Sequence, residues 1–329
     1  MSMSNNKEQQ TPESLAERII GGDRRALARA ITLLENGAPQ ANRIVSLLHQ
    51  NADLNKARFI GITGPPGAGK STLSNALVTC LRKRGEKAAL ILVDPASPLT
   101  GGAILGDRLR LPGHSADDGV FIRSMSNRGH LGGLSPTTAG VATLMQAAGF
   151  KRVIIETVGT GQAETEIAGL ADTVVLVLVP GLGDDIQLMK AGIMEIADVF
   201  AVNKSDRDGA ALLASELKMS QTVSSGDGFT PEVILTSALS GDGVDSLLDA
   251  IDRHYAHLEQ SGLIGVTRKK RIQTQLNGAL QGLFRNALAG IASEDLSQVN
   301  CQLEQCILDP YSAAETLWNL IIANGKGGK

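Results

Sequence analysis

The sequence predicts an α/β chain: a doubly wound, mainly parallel sheet with a helical extension before it and a helical arm after it. Apolar runs of strand length recur between residues 59 and 235, with helical stretches between most of them. These runs are nearly continuous in Val, Ile and Leu rather than alternating, as expected for parallel strands covered on both faces. The first run leads straight into Gly64-Pro65-Pro66-Gly67-Ala68-Gly69-Lys70-Ser71-Thr72, a glycine-rich turn followed by a helical stretch. Strand, turn and helix in that order open many nucleotide-binding sheets.

Residues 1–11 are polar and expected to be disordered. Between residues 12 and 55 apolar side chains fall at helical spacings: Leu15, Ile19, Ile20, then Leu27, Ile31, Leu33, Leu34, then Ile44, Leu47, Leu48. Breaks at Gly21-Gly22 and Gly37-Ala38-Pro39 divide them into three short helices. Strands are expected at 59–63, 88–93, 120–122, 153–155, 174–179, 199–202 and 233–235. Helices are expected at 71–83, 137–148, 185–196, 210–218 and 244–258. After residue 261 strands stop, and 268–291, 296–307 and 313–322 read as helices, with Pro310 separating the last two. The domain reading is therefore an extension over 1–55, a nucleotide-binding domain over 56–260 and an arm over 261–329. Helices trailing a closed α/β domain leave apolar faces that a second copy would bury, so the arm is expected to make a homodimer.

Composition narrows the partners. The chain has 329 residues, 20% of them charged and 43% apolar, which is ordinary for a soluble domain with a full core. A net charge of −3 gives no electrostatic reason to expect nucleic acid or an anionic membrane. Aromatic residues are 3%, too few for base-stacking platforms. Cys80, Cys301 and Cys306 form no CxxC pair, which suits reduced thiols in the cytoplasm. The polar N-terminus is not a secretory signal, and no run approaches the ~18 apolar residues of a membrane span.

The turn after the first strand carries the clearest chemistry. Gly64, Gly69, Lys70 and Ser71 complete the phosphate-loop pattern G-x-x-x-x-G-K-[ST]. Glycines let successive backbone N–H groups converge on an anion, and the helix that follows adds its N-terminal partial positive charge. Lys70 can reach β- and γ-phosphates, while the Ser71 hydroxyl is a hard oxygen ligand suited to Mg²⁺. A second signature, Asn203-Lys204-Ser205-Asp206, follows the 199–202 run and is the N-K-x-D arrangement of guanine-binding proteins. The Asp206 carboxylate can accept two hydrogen bonds from guanine, whereas adenine presents an acceptor and leaves it unpaired. Asn203 would brace the loop and the Lys204 stem would cover the base. The turn Ser237-Ala238-Leu239 follows the 233–235 run and is placed to offer a backbone N–H to the guanine carbonyl. The ligand is therefore GTP or GDP.

Metal and hydrolysis groups are expected at the ends of neighbouring strands. Asp94 follows the 88–93 run, and Glu156 follows 153–155 and opens Glu156-Thr157-Val158-Gly159. In that E-x-x-G setting Glu156 can orient the water shell of Mg²⁺, and the Gly159 N–H can meet the γ-phosphate. Asp107 is a third carboxylate placed to sense the metal. Lys190 is a candidate charge stabiliser, as are Arg108, Arg110 and Arg123. No group is in an evident position to orient the attacking water, since Gln162 is three residues beyond Gly159, unlike the glutamine of small GTPases. Turnover is expected to be slow, within a factor of ten of ~10⁻⁴ to 10⁻² s⁻¹.

Several stretches together resemble one family. They are the run from Asp94 to Asp107, Arg128-Gly129-His130-Leu131-Gly132-Gly133, the run from Glu156 to Thr165, Pro180-Gly181-Leu182-Gly183-Asp184-Asp185, and Asn203-Lys204-Ser205-Asp206. Over residues 13–258 the chain resembles the MeaB/ArgK-type G proteins, chaperones associated with methylmalonyl-CoA mutase; the C-terminal helices match in layout. The resemblance implies a homodimeric GTPase with a C-terminal dimerisation arm. It also implies that GTP binding and hydrolysis gate loading and protection of an adenosylcobalamin-dependent acyl-CoA mutase. It assigns Lys70, Ser71 and Thr72 to the phosphate loop, Asp94 and Asp107 to a first switch region and Glu156 to a second. Asp184, Gln187 and Lys190 fall in a third switch loop that couples to the mutase, and Asp206 with residues 237–239 holds the base. Two rivals stand beside this reading. A metal-delivery GTPase for nickel or zinc enzymes usually carries a Cys/His motif, and no CxxC exists here. Members of the family have also been labelled kinases or ATPases of lysine/arginine/ornithine transport, against which the N-K-x-D signature argues.

Overall fold

The computed structural model describes residues 11–54, 56–94, 112–114, 116–126, 134, 137–157, 166–181, 193–221 and 228–326. Among these, seven strands form one parallel sheet: β1 (Arg58–Thr63), β2 (Ala88–Asp94), β3 (Val120–Ser126), β4 (Arg152–Glu156), β5 (Thr173–Leu178), β6 (Val199–Val202) and β7 (Glu232–Leu235). Their spatial order is β3-β2-β4-β1-β5-β6-β7. Each expected strand is present, and most run one or two residues longer; β3 continues to Ser126 because its last residues pair with β2 in unbroken register.

Burial alternates along the strands as two covered faces require. Phe59, Ala89, Ile91, Val153 and Ile155 enter one core, while Ile60, Ile62, Leu90, Leu92 and Ile154 enter the other. The second core is closed by α4 (Lys70–Lys83), through Leu73, Leu77 and Leu81, and by α7 (Val244–Gln260), through Leu247, Leu248 and Ile251. The first is closed by α5 (Thr138–Ala147), a helix buried at every position but Gly140. Helix α6 (Ala210–Gln221) covers β6 and β7 through Leu213, Ala214 and Leu217.

The three N-terminal helices are α1 (Pro12–Ile20), α2 (Arg24–Glu35) and α3 (Pro39–Asn51). Their apolar stripes, including Ile19, Leu27, Ile31, Ile44 and Leu48, are fully buried and continuous with the core over α5. Local chemistry explains their ends. Thr11 caps α1 by accepting from the Ser14 N–H, with Pro12 in the first turn. Asp23 caps α2, accepting from the N–H groups of Arg25 (2.8 Å) and Ala26 (3.1 Å), and Arg18 donates two hydrogen bonds to its other oxygen. Arg24 ties α2 to the loop before β3, donating to the carbonyls of Asp117 (2.8 Å) and Val120 (2.6 Å). Arg123 of β3 pairs with Glu35 of α2.

The chain groups into two compact units, Met1–Gln275 and Leu276–Lys329, and the division falls inside α8 (Ile264–Ala289). The boundary expected at residue 260/261 falls between α7 and α8. The second unit holds the rest of α8 with α9 (Ser293–Glu304) and α10 (Pro310–Lys326). Asp309 caps α10 through the N–H groups of Tyr311 and Ser312. Phe284 and Trp318 meet with ring centroids 6.1 Å apart. Leu276, Leu280 and Leu283, at i, i+4 and i+7 on one face of α8, are each at least 50% exposed. Of the helix expected over 185–196, only the end is described, as a 3₁₀ turn at Met194–Ile196. No helix among the described residues is long and apolar enough to cross a membrane.

Removing the α2 cap tests this account. Asp23→Ala loses two backbone hydrogen bonds and the Arg18 pair, and should lower stability by about 1 kcal/mol, read as a fall in melting temperature. The Arg18 hydrogen bonds and then the backbone N–H groups hold the Asp23 carboxyl below the usual carboxylate range. Its contribution is therefore present above the ordinary aspartate value of about 4 and is lost as pH falls below it, so the difference between variant and parent should vanish in acid.

Candidate functional site

The site lies at the carboxyl ends of the strands, around the point where the sheet order reverses. β1 sits between β4 and β5, so the chain leaving β1 emerges with neighbours that run to opposite sides, the usual location of a ligand crevice in such sheets. Gly64, Gly67 and Gly69 all take positive φ in the turn that follows. At Gly69 the requirement is double: φ is 87°, and a Cβ would stand 2.5 Å from Asn203 Nδ2. Helix α4 starts at Lys70 directly after it, so an anion over this turn would meet free helical N–H groups. Lys70 is 6% exposed, and its Nζ donates to the carbonyls of Gly64 (2.7 Å) and Pro65 (2.8 Å).

To one side of β1, β4 brings Glu156 level with Ile62. The buried Glu156 carboxylate accepts from Ser71 Oγ at 2.5 Å. Beside it Thr157 donates its N–H to Ile62 O (3.0 Å) and its hydroxyl to Thr63 Oγ1 (3.0 Å), locking β4 to the last residues of β1. That hydroxyl pair escaped the sequence reading, which had no means of knowing that residues 63 and 157 are adjacent. Asp94 ends β2, where its backbone pairs opposite Ser126. Asp107, Gly159 and Lys190, like Gln162, Asp184 and Gln187, lie outside the described residues.

To the other side, β6 and β7 deliver the remaining loops. Asn203 is 2% exposed and reaches two segments at once. Its Nδ2 donates to Ala68 O (2.9 Å), and its Oδ1 accepts from the Ala238 N–H (3.1 Å) and from Thr236 Oγ1 (3.4 Å). Lys204 holds an unusual φ of 57° and spans back to the phosphate turn, donating to Gly67 O at 2.8 Å. Asp206 Oδ1 accepts from Ser237 Oγ at 3.2 Å. Of the turn 237–239, expected to offer a backbone N–H to the guanine carbonyl, the Ala238 N–H is engaged by Asn203, and Leu239 follows it at 92% exposure. Between these loops and α4 lies a cleft of about 140 Å³, lined by Gly69, Thr72, Lys204, Asp206, Ser237 and Leu239 among others. Arg207 also lines it; its only signal in the sequence is that it follows Asp206.

The arrangement joins an anion-binding helix start to a cleft walled by a carboxylate, a lysine stem and a hydroxyl. Those are the parts a nucleotide needs: phosphates on the turn, a base against Asp206. Ser71 and Glu156 place two hard oxygen donors on the phosphate side, a donor set that fits Mg²⁺.

Comparison with known proteins agrees in kind. The family model for the methylmalonyl Co-A mutase-associated GTPase MeaB matches residues 27–290. The chain is similar to a Pyrococcus abyssi protein named as a GTPase, with 44% identity over 318 residues, 95% of this chain and 98% of that one. It is similar also to the mitochondrial methylmalonic aciduria type A homolog of Mus musculus, 33% identical over 282 residues, 80% of this chain and 68% of that one. Among solved structures, a LAO/AO transport system kinase superposes with a TM-score of 0.66 and 27% identity, over 94% of this chain and 97% of that one.

Two substitutions test the site. Lys70→Ala should abolish GTP turnover and weaken nucleotide binding; unchanged affinity and turnover would remove the phosphate-loop assignment. Asp206→Asn should exchange guanine for xanthine nucleotides by about 100-fold or more, read by direct competition between GDP and XDP.

Proposed function

From the premise that this chain belongs to the MeaB family of methylmalonyl Co-A mutase-associated GTPases, we propose that its GTP hydrolysis gates cofactor loading and protection of an adenosylcobalamin-dependent acyl-CoA mutase. The chain is a GTP hydrolase of that family. What carries the mutase assignment is the family match over 27–290, which takes in two of the N-terminal helices and the whole sheet as well as the loops. The relation to a methylmalonic aciduria homolog supports the same metabolic setting.

In this reading the phosphate turn Gly64–Thr72 holds the α-, β- and γ-phosphates, and Lys70 turns from its loop carbonyls towards the phosphate oxygens. Asp206 reads the guanine edge, Ser237 steadies that carboxylate, and the Lys204 stem and Leu239 flank the base. Ser71 and Glu156 would hold Mg²⁺, and Asp94 and Asp107 are the further carboxylates assigned to the metal. Bound there, Mg²⁺ would neutralise charge on the β- and γ-phosphate oxygens. Gly159 and Lys190 complete the phosphate side. The helices after residue 260 form the dimerisation arm, for which the exposed leucine stripe of α8 is the support. The helices before residue 56 are the N-terminal extension. A cytoplasmic setting suits the cysteine pattern. The transport-kinase name of the structural neighbour is a different reading, which a carboxylate set for guanine rather than adenine disfavours.

The deciding experiment adds purified acyl-CoA mutases, of methylmalonyl, ethylmalonyl and isobutyryl type, to the full-length chain and follows phosphate release. One of them should accelerate hydrolysis by about tenfold or more, as partners of slow GTPases do. No acceleration by any of them overturns the partner assignment and leaves the GTPase.

A further inference from the structure

Residues 166–172 lie between the strand that carries the phosphate turn and the first turns of α8. On the β1 side, Gly61 makes the room: a Cβ there would stand 2.7 Å from Ile167 Cγ1 and 3.0 Å from Ala171 Cβ. Asp172 closes the same end, its N–H donating to Phe59 O (2.7 Å) and its carboxylate accepting from the Phe59 N–H (2.8 Å). On the α8 side, Arg271 Nε donates to Leu170 O (2.7 Å), and the guanidinium also pairs with Asp172 and lies 3.9 Å over the Phe59 ring. Thr274 Oγ1 lies 3.3 Å from Gly169 O and 3.0 Å from Lys270 O of its own helix, its one proton shared between the two carbonyls. One turn along from Arg271, Gln275 Nε2 donates to Thr143 Oγ1 (2.8 Å) and to Ala139 O (3.2 Å) of α5. The segment is tied to Leu134 as well, since the Glu166 carboxylate accepts from the Leu134 N–H at 2.7 Å.

We infer that Arg271 and Thr274 are positioning residues for GTP hydrolysis, acting through the segment 166–172 that they seat against β1, and that Gln275 is a third, which holds their stretch of α8 against α5. Ile167 rests on Gly61, three residues before Gly64, and the same strand carries the Ile62 that pairs with Glu156. The spacing between β1 and β4 decides where Ser71 meets Glu156, and a displacement of a fraction of an ångström there costs rate before it costs binding. None of the three touches the phosphate turn or the base cleft. Their polarity is what packing alone would not require. Burial pushes the Asp172 carboxyl up and the Arg271 guanidinium down from their ordinary values, and such a pair fixes geometry more than it adds stability. The inference rests on GTP hydrolysis and is independent of the mutase partner.

Gln275 gives the clean test, because changing it leaves no buried charge alone. Steady-state GTP turnover, GDP affinity and melting temperature are measured on full-length chains. Gln275→Glu places an acceptor against the Ala139 carbonyl and should lower kcat by about 3- to 30-fold, with GDP affinity held within about twofold and melting temperature unchanged. Gln275→Lys keeps a donor and should restore most of kcat. Thr143→Val should slow turnover too, and combined with Gln275→Glu should add less than the sum of the two. Unchanged kcat in Gln275→Glu overturns the inference. So does a fall in kcat that GDP affinity and melting temperature share, because that would mark ordinary packing.

Discussion

The side-chain amide of Asn203 is the joint on which the candidate site depends. It is buried, and its two polar ends hold the phosphate turn through Ala68 and the Ser-Ala turn through Ala238 and Thr236. A buried amide must satisfy donor and acceptor together, so each of those loops can occupy only the position that meets it. Gly69 is part of the same constraint, because any Cβ would displace the Asn203 Nδ2. Lys204 repeats the tie one residue on, bonding Gly67 at the cost of a left-handed backbone. The phosphate turn and the loops after β6 and β7 are therefore held as one body rather than as separate loops that happen to be near.

Much of this was legible in the sequence for physical reasons. Parallel strands covered on both faces have to be apolar throughout, so runs such as 174–179 announce themselves, and β5 is buried at every position. The phosphate turn is legible because its glycines, lysine and serine each answer a separate demand within nine residues. The strand ends were less visible: Arg58, Thr173 and Glu232 are polar, and they count as strand only because a neighbour pairs with them. Partners far apart in the chain left no trace. Thr63 with Thr157, Arg271 with Asp172, and Glu166 with Leu134 are contacts across 94, 99 and 32 positions. Arg271 reads as one of a run of four basic residues from Arg268, and its burial follows only from the fold.

The N-terminal helices show how a boundary drawn by composition can divide a single core. The switch from helical spacing to strand runs near residue 55 is real. Yet Ile19, Leu27, Ile31, Ile44 and Leu48 share one apolar cluster with Phe59 and Met145. Polar contacts cross the same line, from Arg24 to the loop before β3 and from Arg123 to Glu35. Arg123 had the chemistry of a charge stabiliser, but it is held by Glu35 on the extension. An extension packed in this way is part of the first compact unit, and its loss would uncover the face of α5.

The two sides of β1 are held in different ways. On the β6–β7 side, Asn203, Lys204, Asp206 and Ser237 are held by one another and by loop backbone, so the base meets a surface already in shape. Preorganisation of that kind strengthens binding equally in the ground and transition states and leaves the rate untouched. On the β4 side the described chemistry is a hydroxyl against a carboxylate, Ser71 on Glu156, set by the spacing of two strands. Rate then depends on groups brought to that side and on how firmly β4 and the segment after it are held. Among the described residues, then, the β6–β7 side is fixed by side chains that hold one another and the β4 side by the pairing of two strands.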